Sequence, residues 1–178
     1  MASIGLFYGT DTGNTEQVAE NIKSLIEKIK PEVQVDLIEI YQRKAADMAQ
    51  YDFLIIGQPT WYDGELQGDW EEFIPEFEAI DFSGKQLAFF GLGDQYGYAA
   101  YFCDAIGVYA DMAENQGGTL HGFTSALDYE HDFSKAQRGD QFVGLCLDID
   151  NQDELTEDRI KEWIPEVLSS FGLWDAIL

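Results

Sequence analysis

Short continuous apolar runs alternate with helix-period patterns along almost the whole chain, and this alternation restricts the fold more than any other feature. Runs at Ile4–Tyr8, Val33–Ile38, Phe53–Gly57 and Leu87–Gly91 are strand-length, and all but the second, which carries Gln34 and Asp36, are continuously apolar, as strands buried on both faces should be. A fifth strand is expected in two parts, Leu120–Phe123 and Phe142–Leu147. Between the runs, Val18, Ile22, Leu25, Ile26 and Ile29 recur at helical spacing until Pro31. Trp70, Phe73, Ile74 and Phe77 mark a helix over about 68–78, and another runs from about Ala99 to Asn115 before Gly117 and Gly118. The last is expected to open near Thr156 with Glu157 and Asp158, carry Ile160, Trp163, Ile164, Val167 and Leu168, and run toward Gly172. Strands that alternate with helices give an α/β fold, a parallel sheet with helices on both faces.

Composition narrows the class. At 178 residues with 46% hydrophobic content, one domain over 1–178 is expected. No apolar run approaches the ~18 residues of a membrane span, and the opening Met-Ala-Ser-Ile-Gly carries no basic leader, so a cytoplasmic location is expected. Cys103 and Cys146 form no Cys-x-x-Cys pair and are expected buried and reduced; His121 and His131 lack metal-ligand spacing, so no metal is expected. With 10 Lys+Arg against 34 Asp+Glu, the formal charge of −24 disfavours nucleic acid and anionic membrane and favours a basic protein partner.

Three loops follow strands that all end at one edge of such a sheet, where open α/β sheets bind ligands. The first is Gly9-Thr10-Asp11-Thr12-Gly13-Asn14-Thr15, leading into a helix N-terminus whose unpaired N–H groups and dipole attract phosphate. It contains neither a G-x-x-x-x-G-K-S/T run nor a G-x-G-x-x-G, which points away from nucleoside triphosphate hydrolysis and the usual dinucleotide site and toward a phosphate monoester held by neutral donors. The second, Gln58-Pro59-Thr60-Trp61-Tyr62-Asp63-Gly64-Glu65, and the third, Gly91-Leu92-Gly93-Asp94-Gln95-Tyr96-Gly97-Tyr98, carry aromatics on glycine-hinged loops. Trp61 and Tyr98 are placed to clamp a planar ring. Residues 124–141, with Asp128-Tyr129-Glu130-His131-Asp132, form a long polar loop inside the fifth strand.

On these motifs, together with Phe142-Val143-Gly144-Leu145 and Asp150-Asn151-Gln152, the chain resembles the long-chain flavodoxins from end to end. The resemblance implies a flavodoxin-like three-layer sandwich, with a five-stranded parallel sheet in the order 2-1-3-4-5 and strand five interrupted by the long loop. It also implies non-covalent FMN and low-potential one-electron transfer between protein partners. By position it puts Thr10, Asp11, Thr12, Gly13, Asn14 and Thr15 at the phosphate. Pro59, Thr60, Trp61, Tyr62, Asp63 and Gly64 fall along the inner face and N5 edge of the ring. Gly91, Leu92, Gly93, Asp94, Tyr98, Tyr101 and Phe102 fall on the pyrimidine side and outer face, and Asp150 near the ribityl chain. Tyr101 departs from relatives that carry Asn there. The Tyr62–Asp63 peptide is implied to rotate on reduction, in a turn where positive φ is costly for either residue. Asp63, Glu65, Asp69, Glu71, Glu72 and Asp94 ring the implied flavin and are expected to lower its second potential. Implied partners are basic redox proteins such as a flavodoxin/ferredoxin reductase and downstream acceptors, met by a monomer. No catalytic residue is implied; the alternative on the same fold is an FMN-dependent NAD(P)H or quinone reductase.

Overall fold

The computed structural model describes residues 2–174. Its main sheet is built on five parallel strand positions. Strand β1 (Ala2–Tyr8) pairs in parallel with β2 (Val33–Glu39) on one side and with β3 (Phe53–Trp61) on the other. Helix α1 (Asn14–Ile29) makes the first crossover, and the short α2 (Ala45–Ala49) lies on the second. Next to β3, through β4 (Glu65–Leu66) and α3 (Gly68–Glu78), comes β5 (Gln86–Leu92). After α4 (Asp104–Asn115), the fifth position is filled by two pieces. β6 (Thr119–His121) pairs with residues 86–88, and β10 (Leu145–Leu147) pairs with residues 90–92. The excursion between them folds into its own antiparallel sheet of β7 (Thr124–Ser125), β8 (Gln137–Arg138) and β9 (Gln141–Phe142). Helix α5 (Ile149–Ser170) closes the order. Five strand positions and an interrupted fifth match expectation; as hydrogen-bonded segments the main sheet counts seven.

Both faces of the sheet are buried because successive strand residues point in opposite directions. Ile4, Leu6, Ile55, Ala88 and Phe90 pack with Val18, Ile22 and Ile26 of α1 and Ile164 and Val167 of α5. Phe7, Leu54, Ile56, Leu87 and Phe89 pack on the other side with Trp70, Phe73 and Phe77 of α3 and Ile106 and Tyr109 of α4. Trp70 lies at the centre of that second layer, its ring 4.9 Å from Tyr109 and its Nε1 donating to the Gly57 carbonyl at 3.2 Å.

Several boundaries differ from the sequence reading, each for a local reason. β3 continues to Trp61, because Gln58 and Pro59 stay in register with Gly91 and Leu92 and the chain then doubles back as the β3–β4 hairpin. Pro59, Thr60 and Trp61 are therefore strand residues rather than loop. The helix expected from Ala99 opens with one 3₁₀ turn, Ala99–Tyr101, and is broken at Cys103, whose φ of 55° reverses the chain before α4. The last helix begins at Ile149 instead of Thr156: the Asp148 side chain accepts the Asn151 N–H at 3.1 Å, and a kink at Gln152 joins that first turn to the rest. Thr156 is buried within the helix. Helix α2 went unread, although Asp47 accepting the Lys44 N–H at 2.8 Å closes its first turn.

Candidate functional site

Because the chain leaves β1 first toward β2 and then toward β3, the order reverses beside β1, and a crevice opens at the carboxyl ends of the strands. A cavity of about 270 Å³ lies there. Thr10, Asp11, Thr12, Asn14 and Thr15 line one end; Pro59, Thr60, Trp61 and Tyr62 line one flank; Leu92, Gly93, Asp94 and Tyr98 line the other, with Ile149 and Asp150.

At the first end, Gly13 takes φ 90° and donates its N–H to Thr10 Oγ1 at 2.9 Å, which folds the loop tightly. No side chain caps α1, and its first intrahelical bond runs from the Gln17 N–H to the Gly13 carbonyl. The N–H groups of Asn14, Thr15 and Glu16 therefore have no acceptor within the helix, and the threonine hydroxyls stand around them. This is an anion site made of dipoles, with no lysine or arginine in its lining. Asp11 is exposed but tethered, since Gln67 Nε2 donates to its Oδ1 at 3.1 Å.

The aromatic flank is held from below. The Thr60 hydroxyl accepts the Ala105 N–H at 3.0 Å, tying the end of β3 to α4. Trp61 Nε1 is buried and has no acceptor among the described residues, a donor that a bound group with an oxygen or nitrogen acceptor would satisfy. The Tyr62 ring stands edge-on to Tyr98.

The third loop hangs on a buried carboxylate. Gln95 and Asp148 are both fully buried. The Gln95 N–H and Nε2 donate to Asp148 Oδ2 at 3.2 and 2.7 Å, and Gln95 Oε1 accepts the Glu130 N–H at 2.8 Å. Asn151 Nδ2 joins Asp94 to Asp148 at 2.8 and 2.9 Å. Burial pushes the Asp94 carboxyl up, but donors from Gly97, Asn151 and Tyr96 outweigh it and hold it below the ordinary carboxylate value. Asp150 is raised, first by burial and then by the charges of Asp94 and Asp148.

Of the residues picked from sequence, Gly13, Asp63, Gly64, Gly91, Tyr101 and Phe102 do not line the cavity. Gly13 shapes the first loop, and Gly64, at φ 84°, closes the β3–β4 turn beside Asp63. Gly91 lies inside β5, where a Cβ would meet Ile106 at 2.9 Å. Tyr101 is exposed beside Gly64. Phe102 is a core residue, 1% exposed, packed tilted against Tyr129 and edge to face against Phe142, because the reversal at Cys103 turns it inward. Sequence reading missed Gln67, Ile149 and Gln95 with Asp148. A Gln at the start of α3 and an Asp two residues ahead of Asp150 were the available signals.

The flavodoxin family model matches residues 6–163, spanning all three loops. The chain belongs to the flavodoxin family. Flavodoxin of a Synechocystis species is 49% identical over 94% of this chain and 96% of its own, and flavodoxin 1 of Escherichia coli K12 is 44% identical over 100% and 99%. A crystal structure of Fusobacterium nucleatum flavodoxin bound to flavin mononucleotide superposes with a TM-score of 0.88 at 30% identity, covering 96% of this chain and 99% of that one. In this family member the fifth-strand insertion, which separates β6 from β10, reaches the site through the bond from Glu130 to Gln95. Among the described residues, no group of histidine, cysteine and carboxylate side chains could hold a metal, and no helix is long and apolar enough to cross a membrane.

Proposed function

We propose that this chain carries single electrons at low potential between protein partners, using non-covalently held FMN. The observation that carries the reading is one cavity joining an uncapped, lysine-free helix N-terminus to a slot between Trp61 and Tyr98. Those parts are 5′-phosphate and flat ring in complementary form. When bound, FMN supplies the redox chemistry. The N–H groups of Asn14, Thr15 and Glu16, with the hydroxyls of Thr10, Thr12 and Thr15, hold the phosphate by oriented dipoles. Trp61 and Tyr98 sandwich the ring and exclude water from its faces. Asp150 stands at the sugar-alcohol chain, and the Tyr62–Gly64 turn borders the ring edge.

Asp94 lines the cavity half-buried, Asp63 and Glu65 are exposed in the β3–β4 hairpin that follows its Trp61–Tyr62 flank, and Glu71 and Glu72 are exposed and Asp69 half-buried at the start of α3. They make further negative charge on the flavin costly and attract a basic docking face, such as that of a flavodoxin/ferredoxin reductase. On this reading the protein works as a cytoplasmic monomer and not as a catalyst with its own substrate.

The test is titration of the flavin-free protein with FMN and with riboflavin, which lacks the phosphate. One equivalent of FMN is expected to bind with quenched fluorescence, riboflavin far more weakly, and Thr12→Val with Thr15→Val is expected to narrow that gap. Equal affinity for both ligands, or binding of neither, overturns the proposal. NAD(P)H alone is expected to leave the FMN-loaded protein oxidised; rapid bleaching would favour the reductase reading.

A further inference from the structure

A second cavity, of about 360 Å³, lies between the fifth-strand insertion and helix α5, and it shares no lining residue with the first. Its inner wall is held by bonds to the chain behind it. The Trp163 ring, 2% exposed, is fixed by its Nε1 donating to the Gly122 carbonyl at 2.8 Å. The Thr124 hydroxyl donates to the Gly144 carbonyl at 2.6 Å, and the Tyr129 hydroxyl donates to the Cys146 carbonyl. Phe123 and Leu145 complete this wall. Walls tied down in this way are preformed, and the volume falls among those of small-molecule sites.

One group in this cavity is left unsatisfied. The Arg159 guanidinium stands over the Tyr129 ring, with Cζ 4.3 Å from the centroid, and its Nη1 is buried with no acceptor among the described residues. In a chain with 34 Asp+Glu, Arg159 forms no ion pair among those residues. A buried donor without an acceptor is costly, and an acceptor entering the cavity removes that cost. The surrounding charges decide which acceptor. Asp128, Glu162 and Glu166 are exposed residues of the same lining, so three carboxylates accompany one guanidinium. They oppose a bound carboxylate or phosphate and favour a cation. A neutral carbonyl whose own molecule carries a positive charge a few bonds away meets both demands.

We propose that this cavity is a binding site for small organic cations that carry an amide carbonyl. Arg159 Nη1 donates to the carbonyl, Phe123 and Trp163 cover the apolar body, and Glu162 and Glu166 face the cationic end. The site is separate from the one read above as holding FMN, and its occupancy does not depend on that reading.

The experiment titrates the full chain, flavin-free and after incubation with FMN, with N-acetyl-lysine methylamide while NMR follows the Trp163 indole N–H and the Arg159 Nε–H. The norleucine and glutamate analogues, which keep the carbonyls but lose or reverse the charge, are titrated beside it. The lysine compound is expected to shift both signals with a dissociation constant on the order of 1 mM, as suits a ligand of that size. The norleucine compound should bind about threefold more weakly and the glutamate compound more weakly still. Arg159→Met, which keeps the apolar stem and removes the donor, should weaken the lysine compound roughly tenfold. Glu162→Gln with Glu166→Gln, two exposed changes that leave the wall intact, should erase the preference for lysine over norleucine. A longer peptide with the same lysine inside it is expected to bind no more tightly; tighter binding would assign the cavity to a segment of another protein and overturn the small-molecule reading. Unmoved Trp163 and Arg159 signals at about ten times that concentration, or equal binding of all three compounds, overturns the proposal. So does an Arg159→Met variant that binds the lysine compound as wild type does.

Discussion

Tyr62 and Tyr98, carried by two different loops, meet edge to face at the mouth of the cavity, with ring centroids 6.1 Å apart and planes at 85°. Neither ring is buried by this contact, since Tyr62 is 60% and Tyr98 39% exposed. An edge-to-face pair leaves one face of Tyr98 free, which is the geometry a stacking platform needs. Aromatic pairs contribute about 0.5–1.5 kcal/mol beyond area burial. Tyr98→Ala is accordingly expected to weaken FMN binding by roughly tenfold, about 1.4 kcal/mol. Tyr62→Ala alone should cost less, and the double variant should fall short of additivity. Quenching titrations of the three variants measure this, and strict additivity would show that the pair is not coupled.

The acids around the mouth should set the second potential. A carboxylate about 10 Å from the ring and well solvated contributes roughly 0.4 kcal/mol, or on the order of 20 mV for one electron. Replacing Glu65, Asp69 and Glu72 by their amides is expected to raise the second potential by roughly three such increments, on the order of 60 mV. The same variant should show a shallower fall of electron-transfer rate with salt toward a basic acceptor. Spectroelectrochemistry and stopped-flow rates across ionic strengths check both effects.

A further prediction concerns pH and the back of the sheet. The Tyr51 hydroxyl donates to Asp36 Oδ2 at 2.7 Å. That bond holds the Asp36 carboxyl below the ordinary value, while burial and then Asp36 push the Tyr51 hydroxyl up to about 12. Raised in the folded state, Tyr51 contributes stability that is complete below its ordinary value of 10.0 and is lost as pH rises toward about 12. Lowered in the folded state, Asp36 contributes stability present above 3.8 and lost as pH falls through its folded value. Tyr51→Phe removes the first contribution and lessens the second, which Gln34 still supports by donating to Asp36 Oδ1 at 2.7 Å. Urea midpoints of wild type should therefore drop more steeply than those of the variant at both ends of the pH scale, and parallel profiles would contradict this.

At Gly57, in the middle of β3, a Cβ would lie 1.9 Å from Phe90 Cζ, inside the layer under α1 and α5. Gly57→Ala forces that ring to move in a close-packed interior, at an expected cost of about 1–3 kcal/mol or more. Gly139, exposed in the insertion with nothing within 4 Å of such a Cβ, is the control for space, though its φ of 62° carries a backbone cost of its own. Chemical denaturation of Gly57→Ala should show a lower midpoint at unchanged slope.

The alternation of apolar runs with helical patterns was enough to read the α/β class, the parallel sheet and the interrupted fifth strand, because burial on both faces leaves a continuous apolar run at β1, β3 and β5, while the edge strand β2 keeps polar residues at Gln34 and Asp36. The phosphate loop was legible for the same reason: its chemistry sits in consecutive residues, Thr10 to Thr15, at a helix start. Phe102 shows where that reasoning stops. The resemblance puts it at the ring with Tyr98 and Tyr101, yet the φ of 55° at Cys103 sends its side chain into the core.

What the sequence determined by itself, then, is the set of groups offered at one edge of the sheet: hydroxyls and free N–H groups, two ring-clamping aromatics and a ring of acids. Only the tertiary structure decided which of them face the same space and what holds them there. Gln95 on Asp148, Thr60 on Ala105 and Lys135 on Asp104 join residues 31 to 53 positions apart. Such pairings depend on distance and direction in the folded chain, and a buried polar group finds its partner across that space, leaving no periodic trace along the sequence.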